Sequence, residues 1–228
     1  MIRVHVICEG QTEEMFVKEL LCVAFYPLGI FLVPSLIGKP GHKGGNIRFD
    51  RLRIDVRNRL LGDRAAFCTT FLDFYGLPMD FPGKADAARH TEIKTKACCV
   101  QESMARELES QIDSDAMRRF IPYVQMHEFE ALLFSAPRGL ALGIGRSDLV
   151  GHFQSIRDSF DSPEEIDDSP ETAPSKRIKK AVAGYEKAIY GSLAALEIGL
   201  SIMRKECTLF DSWLKQLERL TKDGGRYE

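Results

Sequence analysis

VICEGQTEE, residues 6–14, decides how this chain is read. The run before and into it, IRVHVIC at 2–8, is rich in β-branched residues and has the pattern of a strand. It stops on Glu9, and Gly10 permits a sharp turn. Glu13 and Glu14 then suit a helix start, where the positive end of the dipole favours acids. Phe16, Leu20 and Val23 recur at helical spacing through 13–25, so the stretch predicts strand, tight turn and helix. A turn needs polar residues, but it does not need a carboxylate on the strand end itself. Glu9 is therefore a candidate site residue.

The same alternation continues outward. A short strand is expected at Ile30–Val33, ended by Pro34, and a helix over 47–61 with Phe49, Leu52, Val56 and Leu60 on one side. AAFCTTFLDF (65–74) reads as a buried strand ending on Asp73, residues 92–112 as a helix, and RFIPYVQM (119–126) as a further strand leading into HEFEALLF (127–134). Strands alternating with helices predict an α/β domain with a mainly parallel sheet over 1–135. Residues 136–228 read as a helical C-terminal region, interrupted at 161–177 by a loop rich in Pro, Ser and acids. Trp213, Leu214, Leu217 and Leu220 form its expected docking face.

The totals narrow the function classes. A formal charge of −2 and a pI near 6.2 give no global signature of a nucleic-acid binder, although local basic patches remain open. No apolar run approaches the roughly 18 residues of a membrane span, and the N-terminus reads as a strand instead of a signal peptide. None of the six cysteines forms a CxxC pair, which removes zinc-finger and thioredoxin readings. The expected location is a reducing cytoplasm.

Acids recur at one topological place. Glu9 follows the first strand, Asp73 ends the third, and Glu128 and Glu130 follow the fourth. In an open parallel sheet, ligands bind beyond the carboxyl ends of the strands. Carboxylates gathered there repel one another unless a cation neutralises them, and hard oxygen ligands suit Mg²⁺ or Mn²⁺. The same acids would also serve as helix N-caps. HEFE is not the zincin HExxH, because Ala131 stands where the second histidine belongs. Glu128 and Glu130 share a face only if the segment is extended, and which of them points into a site stays open. His127 is a candidate general base or a partner of the acids.

Two basic stretches complete the inventory. GKPGHKGGN (38–46) sets Lys39 and Lys43 among glycines, a composition able to cradle phosphate through backbone amides, although it is no Walker motif. APSKRIKK (173–180) holds Lys176, Arg177, Lys179 and Lys180, with Lys176, Lys179 and Lys180 on one helical face and Ser175 as the expected N-cap. Such a face suits nucleic-acid phosphates or plain solvent. GxSxG and GxGxxG are both absent.

ICEGQTEE, FLDFYGLP, FIPYVQMHEFEALLF and APSKRI together resemble a bacterial family of unknown function grouped with Toprim-like proteins, over residues 4 to about 214. The Toprim fold is the metal-binding core of topoisomerases, primases and OLD-type nucleases. The resemblance implies that Glu9 is the Toprim glutamate, with a role in acid/base work or metal positioning. It also implies that Asp73 is the first aspartate of the DxD motif, and here the chain departs, because Tyr75 replaces the second. Glu128 or Glu130 would supply the missing ligand. It further implies a defence or toxin setting with an ATPase partner. Two expectations follow: a Mg²⁺- or Mn²⁺-dependent nuclease or related phosphoryl-transfer enzyme, or a degenerate Toprim-like module with a regulatory or scaffolding role.

Overall fold

Strand β1 (Ile2–Cys8) runs down the middle of the sheet, and its alternation sends side chains into two separate cores. Val4, Val6 and Cys8 join one, while Ile7 joins the other. The computed structural model describes residues 1–38, 47–166 and 172–223. Helix α1 (Gln11–Phe16) continues through a π-helical turn, Val17–Leu21, into α2 (Cys22–Phe25). That wider turn changes the expected face: Phe16, Val17, Leu21 and Phe25 are buried, whereas Val23 is exposed.

Strand β2 (Ile30–Leu36) extends past Pro34 instead of ending there. It is an edge strand, so the missing N–H of Pro34 leaves no ladder bond unmade toward a second neighbour. Helix α3 (Phe49–Gly62) buries Leu52, Val56 and Leu60 as its periodicity predicts. It leads to β3 (Phe67–Asp73), in which every residue after Phe67 is buried. Helices α4 (Lys84–Ala87), α5 (Ile93–Glu109) and α6 (Ser114–Met117) follow.

The strand expected at 119–126 is two short ones, β4 (Phe120–Ile121) and β5 (Val124–Gln125). Pro122 separates them, because it has no N–H to give to β3. The hydroxyl of Thr70 bridges the gap, accepting from the Tyr123 amide at 3.0 Å and donating to the Tyr123 carbonyl at 2.7 Å. The sheet is parallel throughout, in the order β2-β1-β3-β4, with β5 also paired to β3. This is the expected α/β architecture: a parallel sheet flanked by helices.

The C-terminal half is helical: α7 (Phe129–Leu133), α8 (Pro137–Gly143), α9 (Val150–Arg157), α10 (Pro174–Ala181), α11 (Lys187–Ile198), α12 (Leu200–Glu206) and α13 (Thr208–Asp223). These helices pack on the face of the sheet that carries Val4, Val6 and Phe71, in one continuous core. Trp213 anchors the last of them: its ring stacks on Tyr123 at 4.3 Å and its Nε1 donates to Thr69 Oγ1 at 2.9 Å. Leu214 and Leu217 are buried beside it, as the docking face predicts. The described part of the 161–177 loop is not simply solvated. Glu164 within it is fully buried and accepts from the Leu209 and Phe210 amides, closing the N-terminus of α13. Among the described residues, no helix is long and apolar enough to cross a membrane.

Candidate functional site

The parallel sheet carries the ends of β1, β3 and β5 to one edge, and the acids that follow them meet there. Glu9 Oε2 accepts from the Asp73 backbone amide at 2.9 Å, so the two strand ends are joined by the first acid itself. The turn after β3 makes room for it. A Cβ on Gly76 would lie 2.5 Å from Glu9 Oε1, so a side chain there would displace the carboxylate.

Asp73 reaches the next element. Its Oδ1 accepts from the Phe129 amide at 3.0 Å, capping α7 from a different strand. Glu128, in the N-cap position of α7, has extended backbone and turns its Oε2 to the Ser175 amide at 2.9 Å. Ser175 is therefore not the N-cap of α10. Ala173 holds that position, and the cap is supplied by Glu128 from outside. Glu130 lies in the first turn of α7 with no exposed surface. Glu128 and Glu130 are thus both buried, and both take part in the same cluster.

Two residues of this cluster escaped the sequence reading. Lys187, the first residue of α11, donates to Glu130 Oε2 at 3.0 Å and lies 3.6 Å from Glu128 Oε1. The sequence does carry a signal for it. A lysine at a helix N-terminus opposes the dipole and calls for nearby anions. The second is Glu13, read only as a helix-start residue. It does serve the helix start, accepting from the Gly10 amide at 2.8 Å. Yet it is also buried, and its charge bears directly on Glu9 and Asp73. The spacing from Gly10 to Glu13, that of a capping box, was the available clue.

Burial dominates the electrostatics. It raises the Glu13 carboxyl to about 7, with the Glu9 charge adding to the effect. Burial likewise raises Glu9, opposed by the Asp73 amide and by Lys187. Asp73 is held well above the ordinary range by burial and then by the Glu13 and Glu9 charges. Glu130 is raised by burial, against the pull of Lys187. For Lys187, burial works against the ammonium, but Glu130, Glu128 and Asp73 outweigh it and its pKa is raised. Among the described residues, Lys187 is the ammonium that bonds to these acids, and neighbouring carboxylate charges still raise Glu9, Glu13, Asp73 and Glu130. Among the described residues, Glu130 Oε1 is buried without a hydrogen-bond partner.

The donor set consists of hard carboxylate oxygens. Among the described residues, no three His, Cys, Asp or Glu side chains are grouped closely enough to hold a metal by themselves. Of the divalent ions, Mg²⁺ and Mn²⁺ take hard oxygen donors of this kind, using one or two carboxylates beside several waters.

The remaining predicted residues are placed as follows. His127 is buried, with its ring edge-on to Phe74 at 5.7 Å. Tyr75 is 38% exposed just beyond Asp73. Lys84, also missed, is buried with its Nζ 3.3 Å from the centre of the Phe74 ring and bonded to the Phe74 carbonyl. Helix α10 presents Lys176, Lys179 and Lys180 to solvent while Ser175 and Ile178 are buried, so those lysines do share one face. Arg177 instead turns back to the Thr172 carbonyl and the Phe160 ring. Lys39 and Lys43 lie outside the described residues.

The model of the family described as "Domain of unknown function (DUF4276)" matches residues 8–218, which include Glu9, Glu13, Asp73, Glu128, Glu130 and Lys187. The chain belongs to the DUF4276 family. Within this DUF4276 chain the match takes in both the acid cluster and the helices that carry Lys187 and α10. No curated protein and no solved structure matches it.

Proposed function

We propose that this DUF4276 protein is a divalent-cation-dependent phosphodiester hydrolase acting on nucleic acid, with a Toprim-like site at the carboxyl edge of its sheet. The observation that carries the reading is the convergence of Glu9, Glu13, Asp73, Glu128 and Glu130 around one lysine, with their charges incompletely offset. Glu9 and Asp73 would hold Mg²⁺ or Mn²⁺. Such an ion, when bound, supplies Lewis-acid stabilisation of a phosphoryl oxygen and an activated water.

The chain's own residues do the rest. The amides of Asp73 and Phe129 each fix one oxygen of Glu9 and Asp73, so both carboxylates are oriented before any ligand arrives. Glu128 ties α10 to the site through Ser175, and the same helix exposes Lys176, Lys179 and Lys180. Those lysines are suited to the flanking phosphates. Lys39, Lys43 and His127 remain candidates for phosphate binding and proton transfer.

A second reading has its own support. Asp73 and Glu128 both cap helices, and Tyr75 stands where a second aspartate would be expected. On that reading the module is a catalytically inert, regulatory subunit, with an ATPase as the partner. Incubating the purified chain with single- and double-stranded DNA and RNA, with and without Mn²⁺, separates the two. Cation-dependent cleavage that Glu9→Gln loses supports the hydrolase. Unchanged cleavage in that variant removes Glu9 from the role, and no cleavage of any substrate favours the inert module.

A further inference from the structure

Lys187 is a cation that the chain places among its own acids. It starts α11, where a positive charge meets the positive end of the helix dipole. Only a third of its side chain is exposed, which adds to the cost of keeping it charged. Gly191, one turn further on, brings α11 close to the site: a Cβ there would lie 3.2 Å from the Phe129 ring and 3.6 Å from the Thr12 side chain. The lysine is held in an unfavourable place by two buried carboxylates, Glu130 at 3.0 Å and Glu128 at 3.6 Å.

These contacts divide the cluster into two halves. Glu128 has Oε2 on the Ser175 amide and Oε1 near the Lys187 ammonium, and Glu130 has Oε2 on the same ammonium. On the other side, Glu9 and Asp73 each have one oxygen on a backbone amide; the Lys187 charge is felt at both, but among the described residues neither makes a hydrogen bond or ion pair with an ammonium. Sites that use two metal ions hold them roughly 4 Å apart, clamped between shared acids. Here an ammonium already occupies the Glu128–Glu130 half, and it would repel a second divalent ion brought to that distance.

We propose that Lys187 stands in for a second metal ion, so that the site takes a single divalent cation, on the Glu9–Asp73 side. The inference rests on the cation-dependent reading above and adds the number of ions and the reason for it. Lys187 is thus a positioning residue that acts through Glu130 and Glu128. It neutralises them, which leaves Glu9 and Asp73 to the ion.

The test is a count of bound Mn²⁺ per full chain, by equilibrium dialysis with electron paramagnetic resonance of the free ion. The wild type is expected to bind one ion, Lys187→Arg one, and Lys187→Met two, because removing the charge frees Glu128 and Glu130 as ligands. Should Lys187→Met fail to fold, Lys187→Gln keeps a donor toward Glu130 without the charge and is expected to bind two. Two ions in the wild type would overturn the inference while leaving the cation site standing. One ion in the Met or Gln variant would overturn it as well. No ion in the wild type would overturn the cation-dependent reading itself, and the inference with it.

Discussion

The Asp73 backbone amide donates to the Glu9 carboxylate at 2.9 Å, so the acid that ends β1 is oriented by the acid that ends β3. The same Asp73 then caps α7 with its side chain. Asp73→Asn keeps an oxygen able to accept from Phe129 and removes one of the mutually repelling charges. Its thermal stability should stay within about 1 kcal/mol of wild type, whereas Asp73→Ala should cost about 1–2 kcal/mol through the lost cap. Mn²⁺ is expected to raise the unfolding temperature of the wild type by binding the folded state, and that rise should vanish in both variants. Unfolding scans with and without millimolar Mn²⁺ measure all of this at once.

Gly76 is predicted to be as sensitive as the acid it faces. Its added Cβ in Gly76→Ala would come within 2.5 Å of Glu9 Oε1, and the carboxylate or the turn must move. The expected cost is roughly 1–3 kcal/mol of stability, with a Mn²⁺ response weakened as in Glu9→Gln. A variant that binds Mn²⁺ like the wild type would show that Glu9 is not a ligand in its present position.

The lysines of α10 should govern affinity without touching stability. Lys176, Lys179 and Lys180 are exposed, so the triple alanine variant should unfold within about 0.5 kcal/mol of wild type. Its affinity for a single-stranded oligonucleotide should fall, and the slope of log K against log salt should drop by about two. Fluorescence anisotropy across a salt series reads both quantities. An unchanged slope would make this face a solvated surface.

Glu164 sets a pH dependence away from the acid cluster. Burial raises its carboxyl from the ordinary 4.5 to about 7, against the amide hydrogen bonds from α13. The folded protein therefore holds this proton more tightly than the unfolded chain. The resulting stabilisation is fully present below pH 4.5 and is lost as the pH rises through about 7, with a ceiling of roughly 3 kcal/mol. Glu13, also raised to about 7, acts in the same window with the same sign. Glu164→Gln should flatten the decline in stability between pH 5 and 8 without abolishing it, as followed by denaturant unfolding across that range.

Local signals were legible wherever a segment makes its own case. The β-branched runs of β1 and β3, the period of α3 and the apolar face around Trp213 all appear in the structure where the sequence puts them. The misjudged positions had neighbours that local pattern does not reveal. Pro34 should end a strand, but an edge strand has a side that needs no partner. RFIPYVQM reads as one strand, but Pro122 divides it and a threonine hydroxyl from β3 fills the gap. Val23 fits an α-helical face, but a π-helical turn carries the core contact to Leu21 and Phe25.

The sequence by itself determined the alternation of strands and helices, and hence a parallel sheet with acids following its strands. Hydrophobic period and turn residues act over a few positions, so they can be read one segment at a time. Only the tertiary structure decided which charges meet. Lys187 stands 57 residues from Glu130 in the chain and 3.0 Å from it in space. Glu13 becomes a member of the cluster only because burial brings its charge against Glu9 and Asp73. Electrostatic energy depends on distance and on exclusion of water, and both are set by how helices pack across the edge of the sheet.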